Sequence, residues 1–197
     1  MNSTNQFSIA NTTEAYKIAK SLRGLYFTRV AFSVLWIILV ITLAKTSEVA
    51  AAILFIMYPA WDVVITFLDI RSNTAAVDKA PQYINAGIST LTTIAVFIAL
   101  KSGIPATLMV FGVWASLTGL IQLVLGIRRR KLLEGQWPMI ISGAQSILAG
   151  VFIIATAHTA KEGIVSLIGY SAFGAFYFIL AAFRLGRSIN KETFTTL

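Results

Sequence analysis

Two ionisable residues, Arg29 and Asp62, stand in stretches that are otherwise apolar. An ionised Arg or Asp at the centre of a membrane-embedded helix costs about 2.5–3.5 kcal/mol on insertion scales, so each demands a partner or a purpose. Arg29 lies six residues beyond Arg23, and Asp62 nine before Arg71. At a rise of about 1.5 Å per residue these offsets are roughly 9 Å and 13 Å from the same side. Antiparallel neighbours would therefore bring the two to similar heights, and the spacing predicts an ion pair. Asn85, Gln122 (six before Arg128) and Tyr177 (seven before Arg184) fall near the same level. Such a polar layer has three readings: a structural ion pair with interfacial anchors, Arg29 snorkelling its charge outward; a site for an ion, proton or small polar ligand; or a contact for a partner helix. Pro59, three residues before Asp62, leaves a helix carbonyl without its N–H and loosens that segment.

Other chemistry is thinly supplied. With no cysteine in the chain, disulfides, thiol nucleophiles and thiolate metal sites are excluded, and a lone histidine rules out a multi-histidine centre. Histidine changes charge near physiological pH, so His158 with Glu162 four residues on is either an external pH-responsive pair or a solvated loop. No H-E-x-x-H or glycine-rich phosphate loop occurs. An enzyme would need nucleophile, base and charge stabiliser to converge, which the scattered acidic residues do not suggest. We therefore expect neither catalysis nor a cofactor or metal.

The elements that must position these residues follow from composition. Of 197 residues 57% are hydrophobic and only 12% charged, against about 25% charged in an ordinary soluble domain; the mean hydropathy is +0.78. Six stretches, 25–44, 49–68, 83–100, 104–127, 137–157 and 164–183, come near the roughly 20 apolar residues that cross a bilayer. Unpaired backbone is not tolerated in lipid, and the runs are too continuous for barrel strands. The expected fold class is all-α: a polytopic membrane protein of six transmembrane helices. The connections alternate between nearly neutral and basic, with 13 of 16 Lys and Arg on the side of the termini and even-numbered connections, Arg29 included, and only Lys45, Lys101 and Lys161 opposite. That bias places both termini in the cytoplasm and accounts for the net charge of +8 without nucleic acid.

The first 24 residues do not have the layout of a signal peptide. From Thr12 or Thr13 to Tyr26, an apolar stripe (Ala15, Ile18, Ala19, Leu22) flanked by Lys17, Lys20 and Arg23 predicts an interfacial helix on anionic head groups; the alternative is a polar tail continuing the first span. Residues 25–187 then form the bundle, and 188–197 a cytoplasmic tail. The spans divide into three tandem hairpins, 25–70, 81–130 and 136–187. The last two repeat at an offset of 56 residues, Gly87 matching Gly143 and Arg128 matching Arg184. Small residues at helical spacing, Gly112, Ser116 and Gly119, then Gly143, Ser146 and Gly150, then Gly174, predict close helix packing. A transport path along the same grooves is the lesser reading.

The run Gly112-Val-Trp-Ala-Ser-Leu-Thr-Gly119, with Gln122, Arg128-Arg-Arg130, Gln136-Trp137, Ser142-Gly143 and Gly150, resembles the HdeD family of bacterial acid-resistance membrane proteins. The resemblance covers mainly residues 85–187, while 25–70 depart from the pattern. It implies six spans, a bacterial inner-membrane location, and in some members a role in acid tolerance; it carries over no catalytic residues. The expected function is thus a non-enzymatic stress-tolerance or membrane-interaction protein, the alternative being a small transporter or channel built on Asp62 and Arg29. Its expected partners are the bilayer and anionic head groups on the cytoplasmic side, with a homo-oligomer left open and nucleic acid excluded.

Overall fold

The computed structural model describes residues 3–72, 79–131, 133, 136–160 and 163–195. Six α-helices follow one another: α1 (Ser3–Leu43), α2 (Glu48–Ser72), α3 (Ala80–Ala99), α4 (Ile104–Arg129), α5 (Trp137–Thr156) and α6 (Ile168–Thr195), with short 3-10 turns at Leu100–Ser102 and Gly163–Leu167. Among the described residues there is no strand. All six helices contain a span long and apolar enough to cross a membrane, so the chain is a multi-pass membrane protein. The boundaries have local causes. Pro81, Pro105 and Pro138 open α3, α4 and α5, where a missing N–H costs no hydrogen bond and the fixed φ suits a first turn. Ser47 Oγ accepts the Ala50 N–H at 3.2 Å and caps α2. Gly103, at φ 97°, makes the turn into α4, in a region that side chains with a Cβ avoid.

Each helix packs on its neighbours in sequence, and α1 also packs on α6, so the six close into a ring. The closest packing does not lie within the three hairpins. It joins α4 to α5, across a hairpin boundary, and α1 to α6 across the ends of the chain. On α4 and α5 the glycines face one another. A Cβ on Gly143 would lie 2.6 Å from the Leu123 nitrogen and 2.7 Å from the Gly119 carbonyl; one on Gly112 would lie 2.7 Å from the Gly150 carbonyl. Ser146 Oγ donates to the Ala115 carbonyl at 2.9 Å, and Ser116 Oγ to the Gly112 and Ile147 carbonyls at 3.1 and 3.4 Å. With little hydrophobic force between helices in lipid, backbone approach of this kind is what joins them. Gly112, Ser116, Gly119, Gly143, Ser146 and Gly150 thus serve as packing residues. Gly174 does not: a Cβ there would meet nothing within 4 Å, because the α5–α6 interface is open at its level.

The amino-terminal stripe also differs from expectation. There is no separate interfacial helix starting at Thr12 or Thr13, since α1 runs unbroken from Ser3. Ile18, Ala19, Leu22 and Tyr26 are buried with Ala181, Ala182 and Leu185 of α6, and with Leu133 and Met139. The stripe finds protein rather than lipid because α6 presents Ala181, Ala182 and Leu185 opposite it, while Lys17, Lys20 and Arg23 remain exposed. Arg184 stacks over Trp137 with its guanidinium carbon 4.8 Å from the ring centroid, tying α6 to the start of α5.

Adding a methyl group should separate the two classes of glycine. Gly143→Ala is expected to lower stability by about 1–3 kcal/mol through overpacking, read as a lower unfolding midpoint in detergent, whereas Gly174→Ala should leave the midpoint unchanged or slightly raised.

Candidate functional site

The ring encloses a cavity of about 530 Å³ lined by residues of all six helices. At the end away from the termini it is closed by an apolar cluster that includes Trp36, Phe55, Val96, Phe111 and Leu167. Its ceiling is aromatic. The Tyr58 ring lies 4.8 Å from that of Trp36, 5.6 Å from Phe111 and 5.7 Å from Trp114, all edge-on, the arrangement favoured by ring quadrupoles. Two hydroxyls enter among these rings: Tyr58 donates to Ser171 Oγ at 3.2 Å. Tyr170 lies 3.1 Å from Ser146 Oγ and donates to it, since Ser146 spends its own proton on the Ala115 carbonyl.

Below this ceiling sits the expected ion pair. Arg29 Nη1 lies 2.9 Å from Asp62 Oδ1, and its guanidinium carbon sits 5.2 Å from the Phe178 ring centroid. The other carboxylate oxygen accepts two hydrogen bonds from α3, from Asn85 Nδ2 at 2.7 Å and Ser89 Oγ at 2.8 Å. Asn85 also donates to Thr66 Oγ1 at 2.9 Å, and Ser89 accepts the Trp114 indole N–H at 2.9 Å. Asp62 therefore ties α2 to three other helices: α1 through Arg29, α3 through Asn85 and Ser89, and α4 through Trp114 on Ser89. A carboxylate out of water needs this much donation to remain ionised without a large penalty.

A second pair lies closer to the termini, where Arg129 Nη2 meets Asp69 Oδ2 at 2.7 Å. The sequence carried a signal for it that the reading above did not use. Asp69 is seven residues, about two turns, after Asp62, so both carboxylates share a face of α2. Tyr26 donates to Gln136 Oε1 at 3.4 Å beside this pair.

Of the remaining expected residues, Gln122 and Tyr177 line the cavity but do not join the ion pair. Gln122 Nε2 turns to the Met139 carbonyl at 3.5 Å, and Tyr177 stands on α6 with its ring 5.4 Å from that of Phe176. Gln145 and Ser142 of α5 and Gln82 of α3 also line it, none of which the spacing argument singled out. Pro59 is buried in a continuous α2; Trp36 Nε1 donates at 3.0 Å to the Leu54 carbonyl, next to the carbonyl of Phe55 whose N–H partner the proline lacks. His158 is exposed in the turn after α5, and Glu162 lies outside the described residues. Among the described residues no three His, Asp or Glu side chains gather as a metal cluster would require.

The α4–α5 seam and most of α3 fall in one segment of the chain. Residues 84–155 match the short repeat of unknown function DUF308. The match begins next to Asn85, contains both glycine-lined helices, and stops short of α6; Arg29, Asp62 and Asp69 lie outside it. The chain matches no curated protein and no solved structure.

The two partners of the inner pair should be coupled. In SDS or denaturant unfolding of the reconstituted protein, Arg29→Gln or Asp62→Asn alone leaves a buried charge and is expected to cost about 3–5 kcal/mol. The double variant should cost less than the sum by about 0.5–3 kcal/mol, and additive losses would deny the pair.

Proposed function

We propose that the chain is an HdeD-type protein of the bacterial inner membrane that acts without catalysis, as an ion-tight stress-tolerance protein whose bundle holds a ligand or partner. The placement of the DUF308 repeat supports the HdeD assignment, since that repeat is the domain found in HdeD-like membrane proteins. The 13-to-3 distribution of Lys and Arg supports an orientation with both termini in the cytoplasm.

One observation carries the choice between holding and conducting. Every acidic group along the cavity wall is engaged: Asp62 accepts from three side chains and Asp69 pairs with Arg129. Beyond Asp62 the ring is filled by the Trp36–Phe55–Phe111 cluster. A proton or cation path needs a carboxylate that can exchange its partner and a wet route past it. Here the carboxylate is held from three sides and faces packed rings. The second reading, a small transporter using Asp62 and Arg29, draws support from the cavity itself and from its position between the two ends of the bundle.

The two readings separate in proteoliposomes. With a pH-sensitive dye inside, the intact protein is expected to be as tight to protons and potassium as protein-free vesicles, at neutral pH and after external acidification. Flux that vanishes in Asp62→Asn would establish the transporter instead. In cells, removal of the chain is expected to lower survival of an acid challenge, and Gly143→Ala should restore it poorly.

A further inference from the structure

The cavity is not closed on every side. Leu148 and Phe152 of α5 and Phe173 of α6 line it, yet they are 70%, 68% and 57% exposed on the outer surface. A side chain that faces cavity and exterior together marks an opening. Leu148 is eleven residues into α5 from Trp137, and Phe173 is eleven before Arg184, so both lie about 16 Å along their helices from the basic end, near mid-bilayer. Across the same gap α6 presents Gly169 and Gly174, where added Cβ atoms would meet nothing within 4 Å. The entrance therefore opens onto the hydrocarbon core rather than onto water.

Further in, polar atoms wait without partners. Gln82 is 1% exposed and neither its Oε1 nor its Nε2 makes a hydrogen bond; Gln136, also 1% exposed, leaves Nε2 unused, and Trp61 its Nε1. All three line the same cavity. Leaving buried donors and acceptors unpaired costs about 1–3 kcal/mol each, and a hydrogen-bonding occupant would relieve that cost once the Gln82 or Gln136 amide turns toward the cavity its residue lines. The charges exclude an ion as that occupant: Arg29 with Asp62 and Arg129 with Asp69 cancel in pairs. Between these polar ends the walls are Leu25, Leu125, Ile121 and Phe178. A volume of about 530 Å³ falls in the range of roughly 300–1,000 Å³ typical of small-molecule pockets.

We propose that the cavity binds a single-chain, uncharged amphiphile drawn from the bilayer between α5 and α6, its hydroxyl-bearing head reaching toward Gln82 and Gln136 and its chain lying toward Leu148 and Phe173. This names the occupant of the holding site proposed above. It is a separate claim from ion tightness: unsaturable binding in a tight bundle would remove the ligand alone, and acid-driven flux would remove the reading it rests on.

The test uses the full chain in phosphatidylcholine vesicles with a monoacylglycerol carrying a diazirine in its acyl chain. Irradiation is expected to label α5 and α6 around Leu148, Phe152 and Phe173, saturably and in competition with unlabelled monoolein. Oleate, kept anionic at pH 9, should compete about tenfold less well or worse. A Cβ at Gly174 meets nothing within 4 Å, so Gly174→Leu, extending into the entrance, should keep its unfolding midpoint while labelling inside the cavity falls by about tenfold or more. Gln82→Met removes both unpartnered atoms at similar volume; it should keep or raise stability and weaken monoolein competition. Labelling that does not saturate, equal competition by oleate, or binding indifferent to both variants would overturn the proposal.

Discussion

A carboxylate held away from water organises this bundle. A buried carboxylate is costly unless it is paired and hydrogen-bonded, and the donors to Asp62 come from three directions: the Arg29 guanidinium, the Asn85 amide and the Ser89 hydroxyl. Each belongs to a helix that must be placed and rotated to make the bond. The requirement thus fixes the azimuth of α1 and α3 about α2, and through the indole of Trp114 on Ser89 it reaches α4 as well. Dispersion alone specifies such rotations weakly, since one apolar face is much like another in lipid. The second pair, Asp69 with Arg129, repeats the constraint two turns nearer the termini and ties α2 directly to α4.

The opposite wall is built by a different rule. Between α4 and α5 no charge is needed, because glycines let the backbones approach until carbonyls meet Cα atoms, and serines close the remaining polar gaps. Half of the ring is therefore set by directional polar bonds and half by shape. The cavity lies between them, where neither rule fills the space: the α5–α6 interface has unopposed Gly169 and Gly174 and, among the described residues, no ion pair to draw the helices together.

Much of this was legible from residue types and spacing. Six apolar runs implied six helices, and the shared depth of Arg29 and Asp62 implied their pairing, because in hydrocarbon an isolated charge is nearly forbidden. The small-residue rows on α4 and α5 implied their contact. What could not be read was which helix stands against which. Gly174 stands among small residues, Ser171 and Ala175, as a packing glycine does, but faces an opening, a property of α5 and not of α6. The amphipathic stripe around Leu22 has the pattern of a membrane-surface helix; only the placement of Ala181, Ala182 and Leu185 of α6 against it turns it into a protein contact. Asp69 was visible two turns from Asp62, but Arg129 stood among three consecutive arginines and nothing in the order of the letters chose between them.

The closure of the ring by α1 against α6 bears on how the protein is made. α1 is made before α6 and finds its principal neighbour only when that helix arrives. Until then Ile18, Leu22 and Tyr26 lack the surface of Ala181, Ala182 and Leu185 that covers them. The Arg29–Asp62 bond, formed between the first two spans, is then the one strong interaction open to the nascent chain. It doubles as a biosynthetic latch, keeping α1 beside its hairpin mate until translation delivers the helix that completes the circle.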